Sequence, residues 1–406
     1  MPLEWTDILL LIILFFISYV SSLHLILWAE NRKKIFKKGS AVSNFPSVSI
    51  VIPAYNEEKT IKRVLGNVLS LNYPKENVET IVVDDGSSDG TYEEASSVSD
   101  RIKVFRKQHS GKAASINFGI RKAKNNFVAV VDGDSFLTAS SLSNAMKYFD
   151  RGDVAGVTTR VLVKKRETIF ERWQDIEFKV IALTRKIRES LNLVDVTPGP
   201  LSIYRKDVLK KVGLFDEKNL TEDIEIAWRL LDRGYRINMA YDSVVYTYYP
   251  EKFSTWLRQR VRWQIGWMQT LKKYSSSIFR NHPVGTFMFP LGLLSLIFQT
   301  VGVGLFFYLL GSWVLTSFYY LNYSYALGSA PNILNIQFFP NLYVFYGMIL
   351  FLFGTLFSIY TLKLYKGRPR FLDFVSFLVV YIYLFIPVTI YSFVKLMSPA
   401  NSWLTK

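Results

Sequence analysis

The 406-residue chain contains no cysteine. That excludes a disulfide framework, a thiolate metal site and a thiol nucleophile. It has only three histidines, His24, His109 and His282, far apart in sequence, so a histidine zinc cluster is not expected. No G-x-G-x-x-G follows the first strand-like run and no G-x-x-x-x-G-K-[ST] occurs. Neither a dinucleotide fingerprint nor a Walker loop is available to hold phosphate. Acidic residues are outnumbered, 33 against 49 basic ones, for a net charge of +16. That balance suits nucleic acid, anionic lipid headgroups or phosphorylated substrates. Charge of either sign is missing altogether between Val284 and Asn341. No internal repeat or low-complexity segment is present.

Half the residues are hydrophobic, more than a soluble domain normally carries, and they are concentrated at the two ends. Residues 8–28 form a run of 21 without Asp, Glu, Lys or Arg, which as a helix is about 31 Å long, the thickness of a bilayer core. Glu4 and Asp7 precede it and Arg32, Lys33, Lys34, Lys37 and Lys38 follow. This asymmetry predicts an outside N-terminus and a cytoplasmic domain after the span. A cleaved signal peptide would begin with basic residues and have a shorter apolar run. In the C-terminal part, 284–320 reads as an interface-lying segment plus one span, 321–341 as an external loop and 342–361 as a second span. Lys363 to Arg370 is basic and reads as cytoplasmic, and 374–394 as a third span that leaves the C-terminus outside. A second crossing within 284–320 would invert that parity. The expected organisation is therefore 1–45 as an N-terminal transmembrane helix and linker, 46–250 as a cytoplasmic domain, 251–283 as amphipathic interface helices, and 284–406 as a membrane region of about three helices.

Between the apolar ends the pattern changes. "SVSIVIPAYNE", "VETIVVDDGSSDGT" and "FVAVVDGD" are β-branched runs that end in polar loops. "EEKTIKRVLGNVLSL" puts Ile61, Val64, Leu65, Val68 and Leu69 on one helical face. Strand and helix alternate every 20 to 30 residues or so, the signature of βαβ units and a mostly parallel, Rossmann-like sheet. Such sheets bind ligands beyond the carboxyl ends of their strands. Tyr55-Asn56-Glu57, Asp84-Asp85-Gly86 and Asp132-Gly133-Asp134 occupy those ends. Asp132 and Asp134 lie two residues apart and can share a side of an extended backbone. Two carboxylates so placed repel unless a cation lies near them; the bland alternative is an Asp-Gly surface turn. With no phosphate loop, a divalent metal between carboxylate and diphosphate is the natural way to handle phosphate.

Four further features follow. Lys112 stands at a helix start after Gly111. "TPGPLSIYR" places Gly199 and Pro200 in a tight loop before a strand. "LTEDIEIAWRL" puts Glu222 and Asp223 in the first turn of an amphipathic helix, where negative charge also opposes the helix dipole. "FSTWLRQRVRWQIGWMQTLKKY" interleaves aromatic and basic residues as a membrane-surface helix does.

From Pro46 to Tyr274 these motifs, in this order, resemble the family 2 membrane glycosyltransferases, which include cellulose, chitin and hyaluronan synthases and ceramide glucosyltransferase. Asp84-Asp85-Gly86, Asp132-Gly133-Asp134, Thr221-Glu222-Asp223 and Gln259-Arg260-Val261-Arg262-Trp263 match that family's D-D-G, D-x-D, T-E-D and Q-x-x-R-W. The resemblance implies a GT-A fold with transmembrane helices at both ends and an inverting, metal-dependent transfer from a nucleotide-sugar, a UDP-sugar in the first instance. It implies that Pro53, Tyr55, Glu57, Asp84, Asp85, Asp132, Gly133, Gln259 and Arg262 surround the donor, with Lys112 adding positive charge near its phosphates. Asp134 is then the ligand of Mn²⁺ or Mg²⁺, and Asp223 the general base, with Glu222 beside it. Gly199 and Trp263 face the acceptor.

The implied partners are a nucleotide-sugar, a carbohydrate or lipid-linked acceptor and the bilayer of the cell membrane, with no nucleic acid; oligomeric state is not implied. A polysaccharide synthase is the leading reading. Transfer of a single sugar to a lipid acceptor is the alternative, and an inactive nucleotide-binding membrane protein is a third. One departure bears on topology. Ser402-Trp403-Leu404-Thr405-Lys406 loosely echoes the cytoplasmic W-G-T-R segment of hyaluronan synthases, which would put the C-terminus inside.

Overall fold

The computed structural model describes residues 5–36, 39, 45–327, 342–364 and 370–397. The chain forms two compact units, Met1–Leu25 with Leu291–Tyr360, and Ile26–Pro290 with Thr361–Lys406. The helices are α1 (Trp5–Ile35), α2 (Glu58–Leu69), α3 (Thr91–Ser96), α4 (Lys112–Lys122), α5 (Ser141–Met146), α6 (Ile169–Arg188), α7 (Lys206–Val212), α8 (Glu222–Asp232), α9 (Phe253–Lys273), α10 (Phe289–Ala326), α11 (Leu342–Lys363), α12 (Phe371–Val379) and α13 (Phe385–Leu396). The strands are β1 (Val48–Ala54), β2 (Val78–Asp84), β3 (Ile102–Arg106), β4 (Phe127–Val130), β5 (Ser135–Leu137), β6 (Val154–Val163), β7 (Ser202–Arg205) and β8 (Arg236–Thr247).

The strands make one eight-stranded sheet in the order β3-β2-β1-β4-β7-β6-β8-β5. β1 to β4 run parallel, as the alternation of strand and helix predicts; β7 enters antiparallel between β4 and β6, and β5 pairs antiparallel with β8. Every residue of β1 is buried, which is why it reads as a continuous apolar run rather than an alternating one. α2 covers the sheet with Ile61, Val64, Leu65 and Val68.

Register explains why distant motifs meet. Ala54 pairs with Asp84 and Val51 with Val130, so β1, β2 and β4 end at one edge of the sheet. β7 runs the other way and pairs its first residue, Ser202, with Val130. The loop before it, with Gly199 and Pro200, therefore arrives at the same edge. α9 crosses the start of α8 where Gly266 leaves no room for a Cβ against the Thr221 side chain.

Three helices among the described residues are long and apolar enough to cross a membrane: Trp5–Lys33, Val284–Ala326 and Tyr346–Lys363. α10 runs 38 residues without a break. Within the first unit, Trp5 and Phe16 of α1 lie against Tyr308 and Phe298 of α10, with ring centroids 5.1 and 4.7 Å apart. Over 374–394, read from the sequence as a third span, the chain forms two short helices, α12 and α13, separated by a 3-10 turn at Tyr381–Leu384. α12 and the turn pack on α6 and α9 through Trp173, Trp256, Phe377 and Tyr381. Residues 398–406, with the Trp403 echo, and most of the 363–370 loop lie outside the described residues.

Candidate active site

A cavity of about 590 Å³ opens at the carboxyl edge of the sheet. Pro53, Tyr55 and Glu57 after β1, Asp85 after β2, Lys112 at the start of α4, and Asp132, Gly133 and Asp134 after β4 all line it. Glu222 of α8 and Arg262 of α9 close it. Residues spread over more than 200 positions of sequence therefore share one cleft.

Lys112 is the hub. Its Nζ lies 2.6 Å from Asp132 Oδ1 and 3.1 Å from Glu222 Oε1. Desolvation alone would lower the Lys112 pKa, but Asp132, Glu222 and Asp223 outweigh it and raise it, so the ammonium is permanent. Burial likewise raises Glu222, yet Lys112 and Arg262 more than reverse this and hold it below the usual carboxylate range. Asp223 differs from its neighbour. Burial and the adjacent Glu222 charge push it up to about 6, with Lys112 and Arg262 pulling back. The Lys112 ammonium 3.1 Å from Glu222 keeps that carboxyl ionised, and its charge beside Asp223 favours a proton there.

The 197–200 loop ties the two acids together. Thr197 donates from its backbone N–H (3.2 Å) and its hydroxyl (2.9 Å) to the Asp223 carbonyl, and the Asp132 N–H donates to the Gly199 carbonyl at 3.1 Å. Burial, then Asp132 and Glu57, push Asp134 up to about 7. Glu57 is itself raised, by burial first and then by Asp132 and Asp89, against a 2.5 Å hydrogen bond from Thr60. The accumulation of negative charge around Asp134 is the condition a hard divalent cation relieves. Among the described residues no three metal-ligating side chains converge. One or two carboxylates, with substrate phosphate and water completing the shell, is the donor set that suits Mg²⁺ or Mn²⁺. The residues present thus fit such an ion at Asp134.

Not every predicted residue faces the cavity. Asp84 is buried behind it, where it pairs with Arg106 at 3.1 Å and accepts from the Ser87 N–H at 3.2 Å. Asp85 reaches the cavity, but its oxygens are engaged by Lys107 and by the N–H groups of Ser110 (3.0 Å) and Gly111 (2.8 Å). The pair therefore shapes the loop that delivers Lys112. Gly199, Asp223, Gln259 and Trp263 are not among the residues lining the cavity. Gly199 and Asp223 stand immediately behind Asp132 and Glu222, and Trp263 lies under the Arg260 guanidinium, 4.4 Å from its ring centroid. Several lining residues escaped the sequence reading: His109, Ser110, Glu217 and Asn219. His109 lies against Tyr55 with the rings tilted by 32° and their centroids 4.4 Å apart. His109 follows β3 and meets Tyr55, which follows β1, across the Asp85 loop after β2, a contact between three strand ends that no local sequence pattern signals.

Comparison with known proteins agrees with this geometry. A family model described as "Glycosyltransferase like family 2" matches residues 46–266, more than half the chain. The poly-beta-1,6-N-acetyl-D-glucosamine synthase of Staphylococcus aureus (strain COL) is 29% identical over 278 residues, covering 66% of this chain and 67% of that protein. The synthase of the same name from Staphylococcus epidermidis is 28% identical over 253 residues, 59% of each. In three dimensions, the mannosyltransferase PcManGT from Pyrobaculum calidifontis, solved with GDP-Man and Mn²⁺, superposes over 95% of this chain and 99% of its own with a TM-score of 0.58 at 18% identity. That likeness establishes a shared GT-A fold. A cleft built from four ordered motifs, a GT-A sheet and a family match across the whole catalytic region together make this chain a family 2 glycosyltransferase.

Proposed function

We propose that the chain is an inverting, metal-dependent polysaccharide synthase that uses a UDP-sugar, with N-acetylglucosamine favoured by the staphylococcal relatives. The observation that carries the reading is one cavity in which Lys112 lies between Asp132 (2.6 Å) and Glu222 (3.1 Å), with Asp134 and Arg262 also lining it. Asp223 takes the proton of the acceptor hydroxyl as that oxygen bonds to the anomeric carbon. The bond from that carbon to the diphosphate oxygen breaks at the same time. Attack and departure occur on opposite faces of the sugar, so the configuration inverts without a covalent intermediate. Arg262 binds the leaving diphosphate through paired N–H donors, and Lys112 holds Asp132 and Glu222 in place beside it. Asp134 would hold the Mn²⁺ or Mg²⁺, which when bound supplies Lewis-acid stabilisation of the leaving nucleoside diphosphate. Trp263 offers an aromatic face to the acceptor sugar.

We also place the catalytic domain in the cytoplasm of a multi-pass cell-membrane protein with its N-terminus outside. The apolar helices and the basic residues after the first span support this. α13 has 12 residues, about 18 Å against a core of about 30 Å. That length supports a C-terminus on the domain's own side, opposite to the side given by a third crossing over 374–394.

The test is the full chain in lipid nanodiscs with radiolabelled UDP-N-acetylglucosamine and Mn²⁺ or Mg²⁺. A ladder of polymer is the expected result. A single organic-soluble band would replace polymer synthesis with transfer to a lipid, and no turnover of any nucleotide-sugar would overturn the enzymatic reading.

A further inference from the structure

Arg260 is the second residue of the Gln259–Trp263 segment, and the proposed chemistry does not use it. Its side chain is 4% exposed. A guanidinium taken out of water needs an anion and further partners. Glu177 of α6 supplies the anion, with Oε2 2.6 Å from Arg260 Nη2. The same oxygen accepts the Tyr381 hydroxyl at 2.9 Å. Trp256 Nε1 in turn donates to the Tyr381 oxygen at 3.0 Å. Tyr381 is 3% exposed and stands at the turn between α12 and α13. Two more polar contacts hold α12 to α6: Arg172 to Asp373 at 2.9 Å, and Trp173 Nε1 to Ser376 Oγ at 2.9 Å.

Helix geometry separates this network from the donor cavity. Residues two apart on a helix point about 200° away from each other, whereas residues three apart are neighbours. Arg262 therefore lines the cavity while Arg260 points into the protein, and Trp263 shares the side of Arg260. The Arg260 guanidinium lies over the Trp263 ring, and its direction is set by Glu177 and Tyr381.

We propose that Tyr381 is a positioning residue for the acceptor: through Glu177 it aims the Arg260 guanidinium that supports Trp263. This rests on the reading of Trp263 as the acceptor platform. The apolar run over 374–394 then serves to hold the acceptor side of the site.

The test measures acceptor-free donor hydrolysis and transfer to a β-1,6-linked N-acetylglucosamine oligomer, in nanodiscs, for Tyr381→Phe, Arg260→Lys, Trp263→Ala and the Tyr381→Phe/Arg260→Lys double variant. Tyr381→Phe keeps the ring in its cluster and removes only the hydroxyl. The expected result is an acceptor KM raised about 5- to 10-fold, the size of one hydrogen bond's net contribution, with donor hydrolysis changed less than twofold. KM does not depend on the folded fraction, so lost stability alone cannot imitate this. The double variant should lose much less than the product of the two single effects, because both act on one guanidinium. An unchanged acceptor KM, an equal fall in hydrolysis and transfer, or multiplicative effects in the double variant would each overturn the proposal. If Trp263→Ala leaves acceptor KM unchanged, the platform reading fails. If Trp263→Ala raises it and Tyr381→Phe does not, only the positioning role fails.

Discussion

Gly199 lies so close to Asp132 that a Cβ at this position would overlap both carboxylate oxygens, and it would press on Lys112 Nζ as well. The atoms it would strike are the tips of flexible side chains, so the fold can give way while the site cannot. Gly199→Ala should therefore leave thermal unfolding nearly unchanged and reduce transfer by about 10²-fold, the cost of misplacing a catalytic group by about 1 Å. Steady-state kinetics beside a melting curve checks both halves. A variant of normal activity would show that Asp132 and Lys112 are free to move.

If Asp223 is the base proposed above, its protonation sets the acid side of the rate. A base must be unprotonated, and burial beside Glu222 raises Asp223 to about 6. The ratio kcat/KM should then fall as pH drops through about 6 and level off above about 7. Asp223→Asn should remove this limb and slow transfer by about 10² to 10⁴, while nucleotide binding measured by calorimetry stays close to that of the unaltered chain.

The catalytic edge of the sheet is legible in sequence because β1, β2 and β4 are covered on both faces. Each carries an apolar stretch, Ile50–Ile52, Ile81–Val83 and Phe127–Val130, and each stops at a polar cluster that the parallel register then aligns. The other half of the sheet is not. β5 has three residues and follows directly on Asp134, too short to show a period. β6 and β8 pair across a long separation with two register irregularities. α6 did carry a local sign, the Thr168–Glu171 capping box, but its buried Asp175 and partly buried Glu177 make sense only beside Arg166, Lys179, Arg260 and Tyr381. The same holds for the apolar run over 374–394. Hydropathy counts Tyr381 and Ser376 as tolerable in a span, whereas their hydroxyls are spent on Trp256, Glu177 and Trp173.

Glu225 tests the frame behind the base. Its carboxylate is fully buried and accepts from Arg229, from Tyr274 at 2.9 Å and from Lys273 at 2.7 Å. Removing it leaves the mostly buried Arg229 guanidinium without its anion. Glu225→Ala should cost about 3 to 5 kcal/mol, as breaking one side of a buried pair does. Denaturant unfolding should register this loss, and Glu225→Gln, which keeps an acceptor for Tyr274, should lose less.

Asp134 separates metal use from nucleotide use. Asp132 is held by Lys112 and Glu57 accepts from Thr60, and Asp134 is the cavity carboxylate proposed to meet a cation. Asp134→Ala should abolish the stimulation of turnover by Mn²⁺ or Mg²⁺ and weaken diphosphate-sugar binding far more than binding of the bare nucleoside. Calorimetric titrations of UDP and uridine, each with and without Mn²⁺, provide the comparison; equal losses for both ligands would remove Asp134 as the ion's ligand.

The absence of cysteine turns topology into a clean labelling experiment, because any introduced thiol is the only one present. Met397 is 88% exposed at the end of α13, and α13 is too short to cross a bilayer core. Met397→Cys should thus react with a membrane-impermeant maleimide in inside-out vesicles and resist it in intact cells. Leu372→Cys, on the exposed side of α12, should report the same side. Opposite labelling of the two positions would mean that α13 crosses after all and that the C-terminus lies outside.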